Sequence, residues 1–277
     1  MTRLKEDDID EISATLSKYD QELLSKTGYK LSELAAYAVG GDLNQANHES
    51  LQIAVIPLTC GQGIIGGFAD SVASIINHLG FSAWVTKLPD AGGVAEAVQN
   101  GADVLFMADD QRFVAINLHT RVVSENGAAT GRGYAAGLER MNHGLKGEEV
   151  LILGAGPVGT SAAFSLAQYG AKISIYEPDL AAGRTLMERF RESGHSLSLE
   201  SDLNLALQHH HLIVDACPAD NIILQYHLRE DTMIAAPGIP LGIELTGIKQ
   251  ISPRLIHDPL QIGVAVMMFE AISEDRS

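Results

Sequence analysis

The sequence predicts an α/β protein with an N-terminal helical-α/β substrate domain followed by a Rossmann-type domain, a doubly wound parallel sheet. Three observations predict it. From Leu51 onward, short apolar runs alternate with amphipathic helical stretches, the rhythm of βαβ units. An apolar run enters Gly154-Ala-Gly156-Pro-Val-Gly159, which opens a helix. Glycine is frequent, 27 of 277 residues, and aromatics make up only 5%, which suits many tight strand-to-helix turns.

Residues 6–39 read as helical: Ile9, Ile12, Leu16, Leu23 and Leu24 recur at helical spacing, Gly28 interrupts them, and a second short helix fits Leu31–Val39. Leu51–Pro57 is a buried strand, Gly61–Gly67 a turn, and Phe68–Leu79 an amphipathic helix stopped by Gly80. Phe81–Leu88 and Asp103–Ala108 are strands around a short helix, Val94–Gln99, and Phe113–Leu118 with Arg121–Ser124 form a further strand or hairpin. After a flexible Asn126-Gly127 turn, Thr130–Asn142 is helical. Strands follow at Gly147–Leu153, Ile173–Tyr176, Leu212–Asp215 and Met233–Ala236, with helices at Pro157–Tyr169 and Leu180–Glu192 and an apolar one at Pro259–Ala271. A length of 277 residues accommodates two domains, divided near Gly127 into 1–127 and 128–277.

Charge and cysteine usage narrow the partners. Nineteen basic against 35 acidic residues give 19 − 35 = −16. So acidic a surface repels phosphate backbones and anionic membranes, which argues against nucleic acid and membrane partners. Cys60 and Cys217 form no CxxC motif, and the histidine run His209-His210-His211 reads as a solvated helix end, so no metal site is expected. The N-terminus MTRLKEDDID lacks the apolar core of a signal peptide and no apolar run approaches the ~20 residues of a membrane helix, so the expected compartment is the cytoplasm.

The glycine pattern carries its own chemistry. Gly154 permits the tight turn, Gly156 leaves room for a pyrophosphate against the backbone, and Gly159 lets helix and strand pack closely. Pro157 and Val158 open the helix whose free N–H groups would bind the anion. Glu177, followed by Pro178, ends the next strand 18 residues after Gly159, placed to bond ribose hydroxyls and repel a 2′-phosphate, so the expected cofactor is NAD. The loops Asp215-Ala216-Cys217-Pro218 and Ala236-Pro237-Gly238-Ile239-Pro240 each follow a strand and face the same crevice, or are plain turns.

Two segments of the first domain suggest a substrate side. Pro57–Gly66, with Thr59, Cys60 and Gln62, is an anion pocket or an ordinary βα turn. Asp109 and Asp110 follow a buried strand; they bind an ammonium group, act as a base, hold a metal, or cap a helix.

The runs PLTCGQGIIGGF (57–68), EAVQNGADVLFMADDQRF (96–113), ILGAGPVG (152–159), PGIP (237–240) and DPLQIG (258–263), in this order and spacing, resemble the PylD family of pyrrolysine biosynthesis dehydrogenases over nearly the whole chain. The resemblance implies a homodimer with an N-terminal substrate domain and a C-terminal Rossmann domain. It implies the last step of pyrrolysine biosynthesis: NAD oxidises the terminal amine of a 3-methyl-D-ornithyl group on the ε-nitrogen of lysine. The ornithyl α-amine then attacks the resulting imine, or the aldehyde that water makes of it, and the pyrroline ring closes with a net loss of ammonia, any water taken up being lost again. It implies that Asp109 holds an ammonium group of this dipeptide-like substrate, with a catalytic role as base only second. Cys60, Phe68 and Asn126 match positions around the substrate, and Leu4 an N-terminal position that helps close the pocket. Cys60 stands where archaeal members carry serine, a better hydrogen-bond partner than a thiol. Asp258 is implied in substrate binding and is shorter than the family's glutamate. The alternatives are another two-domain NAD-dependent dehydrogenase of the methylene-tetrahydrofolate or shikimate type, acting on a small amino-acid-like or cyclic substrate, and a non-enzymatic NAD sensor. The active-centre lysine of the former families has no convincing match, since Lys87 is the only lysine between Lys30 and Lys146.

Overall fold

The structure, a computed structural model, describes residues 4–41 and 50–273. The chain divides into two compact units. One comprises the residues up to Glu22, Tyr29–Ala129 and the chain from Pro259 on; the other comprises Leu23–Gly28 and Thr130–Asp258.

The first unit opens with a 3-10 turn at Glu6–Asp8, then α1 (Ile12–Thr27, its last turn counted with the second unit) and α2 (Leu31–Ala38). Its sheet has the order β2-β1-β3-β4-β5, built from β1 (Gln52–Ile56), β2 (Ser82–Val85), β3 (Val104–Ala108), β4 (Phe113–Asn117) and β5 (Val123–Glu125). The helices α3 (Phe68–His78) and α4 (Asp90–Gln99) make the parallel crossovers that set β1 between β2 and β3. In α3, Val72, Ile75 and Ile76 fall at helical spacing and are fully buried, which docks the helix on the sheet. Gly80 then ends it at φ +95°. Strands β3, β4 and β5 pair antiparallel, because a connection of residues 109–112 is far too short for a crossover helix.

The C-terminal helix α10 (Gln261–Ile272) corrects the expected division at 127, because it belongs to the first unit and not to the Rossmann domain. It is apolar except for Gln261 and Glu270, and nearly all of it is buried. Such a helix must be covered all round, and here α2, α3, β4 and β5 cover it. Phe269 packs edge-on against Phe81, Ser124 Oγ donates to Glu270 at 2.7 Å, and Asn117 Nδ2 donates to the Ala271 carbonyl at 2.9 Å.

The helix expected from Thr130 starts earlier: α5 runs Asn126–Met141, so Asn126 and Gly127 form its first turn and not a flexible loop. In the second unit follow β6 (Glu149–Leu153), α6 (Pro157–Gln168), β7 (Lys172–Tyr176), α7 (Leu180–Glu192), β8 (Leu197–Glu200), α8 (Leu203–His209), β9 (Leu212–Asp215), β10 (Met233–Ala235), α9 (Leu245–Ile251) and β11 (Leu255–Ile256). All six strands are parallel in the order β11-β10-β9-β6-β7-β8. Counted from β6 this is 3-2-1-4-5-6, with the strand order reversing between β6 and β9. The histidine run ends α8 as expected, but His210 is buried and its Nδ1 donates to the Ala206 carbonyl at 2.9 Å.

Candidate active site

The turn between β6 and α6 is built for close approach. Gly154 sits at φ +100°, where side chains are disfavoured, and its N–H donates to the Tyr176 carbonyl at 2.9 Å, tying the turn to β7. A Cβ at Gly159 would lie 2.0 Å from the Gly154 carbonyl oxygen, so only glycine lets α6 pack on the strand. A Cβ at Gly156 would meet nothing within 4 Å. That open space fronts the N-terminus of α6, where Gly156 is the cap and Pro157 the first helical residue. With Val158 in the same turn, this arrangement suits a pyrophosphate. On the other side, a Cβ at Gly131 of α5 would lie 2.2 Å from the Val158 carbonyl, which seats the α6 terminus against α5.

Glu177 stands at the end of β7 with its carboxylate already turned to this loop. Oε2 accepts the Ala155 N–H at 2.8 Å and Oε1 accepts the Asp179 N–H at 2.9 Å. Carboxylate oxygens have further lone pairs, so ribose hydroxyls can still donate to them. Pro178 is exposed beside it, and Asp179 caps α7 through the Ala181 N–H at 2.9 Å.

The loops after β9 and β10 meet on Asp215, which is fully buried. Its Oδ1 accepts the Cys217 thiol at 3.0 Å, its Oδ2 the Gly242 N–H at 3.1 Å, and its carbonyl the Gly238 N–H at 2.8 Å. Burial pushes the Asp215 carboxyl up, against the thiol and backbone donors that favour its charged form. Burial and the adjacent carboxylate push the Cys217 thiol up to about 12, so it acts as a hydrogen-bond donor and not as a thiolate. Pro218, Pro237 and Gly238 flank these contacts in the two loops.

In the first unit, the sequence-distant segments 57–68 and 107–113 come together at the carboxyl ends of β1 and β3, where open parallel sheets hold their ligands. Asp109 is exposed and closes the β3–β4 hairpin, with Oδ1 accepting the N–H groups of Gln111 and Arg112, both at 2.7 Å. It caps a hairpin turn and not a helix. These backbone donors, Arg112 first, hold its carboxyl below the usual carboxylate range. Asp110 reaches across to the β1–α3 loop, where its Oδ2 accepts the Gln62 N–H at 2.7 Å. A Cβ at Gly61 would collide with that oxygen, which lies 2.0 Å away.

Two more acids hold the same loop, and neither was legible as a site residue. Asp90 accepts the Thr59 N–H at 2.8 Å and the Thr59 hydroxyl, which together hold its carboxyl low. Glu6 accepts the Gly66 N–H at 3.2 Å. Cys60 is exposed in this loop. Phe68, half-buried at the start of α3, packs edge-on against Phe113 with centroids 5.3 Å apart. Asn126, half-buried at the start of α5, follows Glu125, whose register partner is Val114. Cys60, Phe68, Asp109 and Asn126 therefore share one end of this sheet, and half-buried Leu4 precedes the turn that supplies Glu6.

Asp258 lies in the second unit and is buried, with Oδ2 accepting the Tyr134 hydroxyl at 3.0 Å while its backbone N–H donates to the Tyr134 hydroxyl oxygen at 2.8 Å. Full burial raises the Tyr134 phenol well above its ordinary value. Among the described residues, no group of three or more His, Cys, Asp or Glu side chains could hold a metal ion, and no helix is long and apolar enough to cross a membrane.

Comparison with known proteins gives this geometry a context. Residues 8–124 match the family model described as "Pyrrolysine biosynthesis protein PylD, N-terminal domain". The pyrrolysine synthase of Methanosarcina barkeri is 32% identical over 274 residues, 98% of each chain. The chain belongs to the pyrrolysine synthase family. The pyrrolysine synthase of Methanosarcina acetivorans is 29% identical over 272 residues, covering 98% of this chain and 100% of that one. Residues 137–245 match the model described as "Shikimate / quinate 5-dehydrogenase". Quinate dehydrogenase from Corynebacterium glutamicum in complex with NAD has the same fold, with a TM-score of 0.54 at 14% identity over 80% of this chain and 94% of that one. Shikimate dehydrogenase from Aquifex aeolicus gives a TM-score of 0.52 at 12% identity over 80% and 90%. Family and fold together make the chain an oxidoreductase of pyrrolysine biosynthesis with a dehydrogenase-type domain.

Proposed function

We propose that the protein catalyses NAD-dependent oxidation of the terminal amine of 3-methyl-D-ornithyl-Nε-L-lysine, followed by cyclisation to the pyrroline ring. The carrying observation is a glycine turn with open space at Gly156, met by Glu177, in a member of the pyrrolysine synthase family. Bound NAD supplies a hydride acceptor. The α6 N-terminus, with the N–H groups of Gly156, Val158 and Gly159, holds its pyrophosphate, and Glu177 binds the adenosine ribose and disfavours a 2′-phosphate. Pro178, Cys217, Pro218, Pro237 and Gly238 line the remainder through the loops after β7, β9 and β10.

In the first unit Asp109, anionic and exposed, holds an ammonium group of the substrate, with Cys60, Phe68 and Asn126 at the same end of the sheet. Leu4 covers it. A carboxyl held ionised by two backbone donors is a poor proton acceptor, which makes Asp109 a substrate-binding group before it is a base. Asp258, shorter than a glutamate and engaged by Tyr134, is the substrate-binding position that the family resemblance implies. The working form is a cytoplasmic homodimer.

The test is NADH absorbance with purified protein, NAD and the synthetic ornithyl-lysine, with mass analysis of the product. NADH with a pyrroline product supports the reading. Normal NAD binding without NADH would sink the substrate assignment and leave an unidentified dehydrogenase or a sensor.

A further inference from the structure

We propose that Asp215 is a positioning residue of the dinucleotide site, whose buried side chain holds the loops after β9 and β10 in the conformation that binds cofactor. The inference rests on the dinucleotide reading above and deepens it.

Asp215 is an awkward residue for stability alone. It is fully buried, and its hydrogen-bond donors are a thiol and backbone N–H groups, none carrying a full charge. An apolar or amide side chain would be less costly to bury there. What the carboxylate alone provides is two acceptor oxygens facing two loops at once. Oδ1 takes the Cys217 thiol at 3.0 Å, in the loop after β9. Oδ2 takes the Gly242 N–H at 3.1 Å, in the loop after β10. An asparagine in the same place accepts at one position and presents a donor to a donor at the other.

The fit leaves no slack. A Cβ at Gly242 would lie 2.3 Å from Asp215 Oδ2, and a Cβ at Gly238 would lie 2.3 Å from the Cys217 carbonyl oxygen and 3.0 Å from that of Asp215. The same stretch backs onto the pyrophosphate turn, since a Cβ at Gly154 would approach the Ala216 carbonyl oxygen to 3.1 Å. Beyond β10, the His257 ring donates from Nδ1 to the Ala236 carbonyl at 2.7 Å and so pins the other end of the second loop. Asp215 thus joins the loops after β9 and β10, and its neighbour Ala216 meets the β6 turn, at the carboxyl edge where the strand order reverses.

The test uses the full-length protein and two readouts, NAD affinity by titration calorimetry and melting temperature by calorimetry. D215N is expected to weaken NAD binding about tenfold, the loss of one hydrogen bond in the support of the site, while its melting temperature stays level or rises. C217A is expected to weaken binding less, and C217S, which keeps a donor, to restore it. G242A, which drives a methyl group into Oδ2, is expected to lower the melting temperature and to weaken NAD binding by the folded protein as D215N does, and its affinity decides the matter if D215N does not fold. A D215N protein that binds NAD like wild type, or that loses melting temperature while its folded fraction keeps wild-type affinity, would overturn the inference. Wild-type protein that fails to bind NAD would overturn the dinucleotide reading and this inference with it.

Discussion

Replacing each of two glycines of the β6–α6 turn by alanine separates binding from folding. At Gly156 the backbone has φ −68° and ψ −176°, which alanine adopts freely, and the added methyl meets no protein atom within 4 Å. Folding should therefore be unharmed, and loss of glycine's freedom in the unfolded chain should add about 0.4–1 kcal/mol of stability. The same methyl occupies the space before the helix N-terminus. Displacing the pyrophosphate from even one backbone N–H removes a charge-assisted hydrogen bond of about 1.5–3 kcal/mol, a roughly 10- to 100-fold loss of NAD affinity. At Gly159 the methyl lies 2.0 Å from the Gly154 carbonyl oxygen, a backbone atom that cannot swing away. Overpacking of this kind costs about 1–3 kcal/mol. Titration calorimetry with NAD and urea denaturation of both variants test the pair. G156A should be stable and cofactor-poor, whereas G159A should be destabilised. Wild-type NAD affinity in G156A, or wild-type stability in G159A, would refute the reasoning.

Glu177→Ala should lower NAD affinity about tenfold and narrow the preference over NADP, because it removes both the ribose acceptor and the charge facing a 2′-phosphate; competition titrations of the two cofactors measure it. Tyr134→Phe should cost about 1–3 kcal/mol in urea denaturation, since it leaves buried Asp258 polar groups without the hydroxyl they share. Backbone donors lower the Asp109 pKa in the folded protein, so its contribution to stability is complete above the ordinary carboxyl value of 3.8 and is lost as pH falls below it. Between pH 6 and 9 Asp109→Asn should therefore lower turnover without changing the shape of the rate profile, and a limb of that profile that vanishes in the variant would show Asp109 to be the proton acceptor.

Local patterns were legible where one segment carries its own explanation. The glycine turn, Glu177 at the end of β7, and the bounds of α7 and β9 follow from spacing and period within a few residues of chain. Features defined by a partner far away in sequence were not. Nothing in Pro259–Ala271 says that this apolar helix completes the first unit, because a nearly all-apolar surface specifies burial and not the neighbour. Strand β8 was missed because its LSLE run carries little apolar signal, and β11 because two residues make no pattern. Asp90 and Glu6 read as ordinary surface acids, and Asp110 as a candidate beside Asp109 without an assigned partner. Their role lies in which backbone N–H they meet, and only the glycines at 61 and 66, which leave room for carboxylates, hinted at it. Asp215 stood in a loop already suspected of facing cofactor, yet its burial was invisible in sequence.

The pKa directions differ between the two units. In the first, Asp90 and Asp109 are held anionic by backbone and hydroxyl donors. Fixed anions stabilise an ammonium, which suits binding and opposes oxidation, because hydride leaves only from a carbon bearing a neutral amine. The nitrogen that Asp109 grips is therefore a poor candidate for the one oxidised. In the second unit the buried groups shift the other way, with Asp215, Cys217 and Tyr134 all raised by desolvation. Desolvation works against any charge there, whereas the Asp215 and Asp258 carboxylates that also raise Cys217 and Tyr134 favour a cation beside them. On the proposed reading, Asp109 of the first unit therefore holds the substrate's spare ammonium and not the nitrogen that is oxidised.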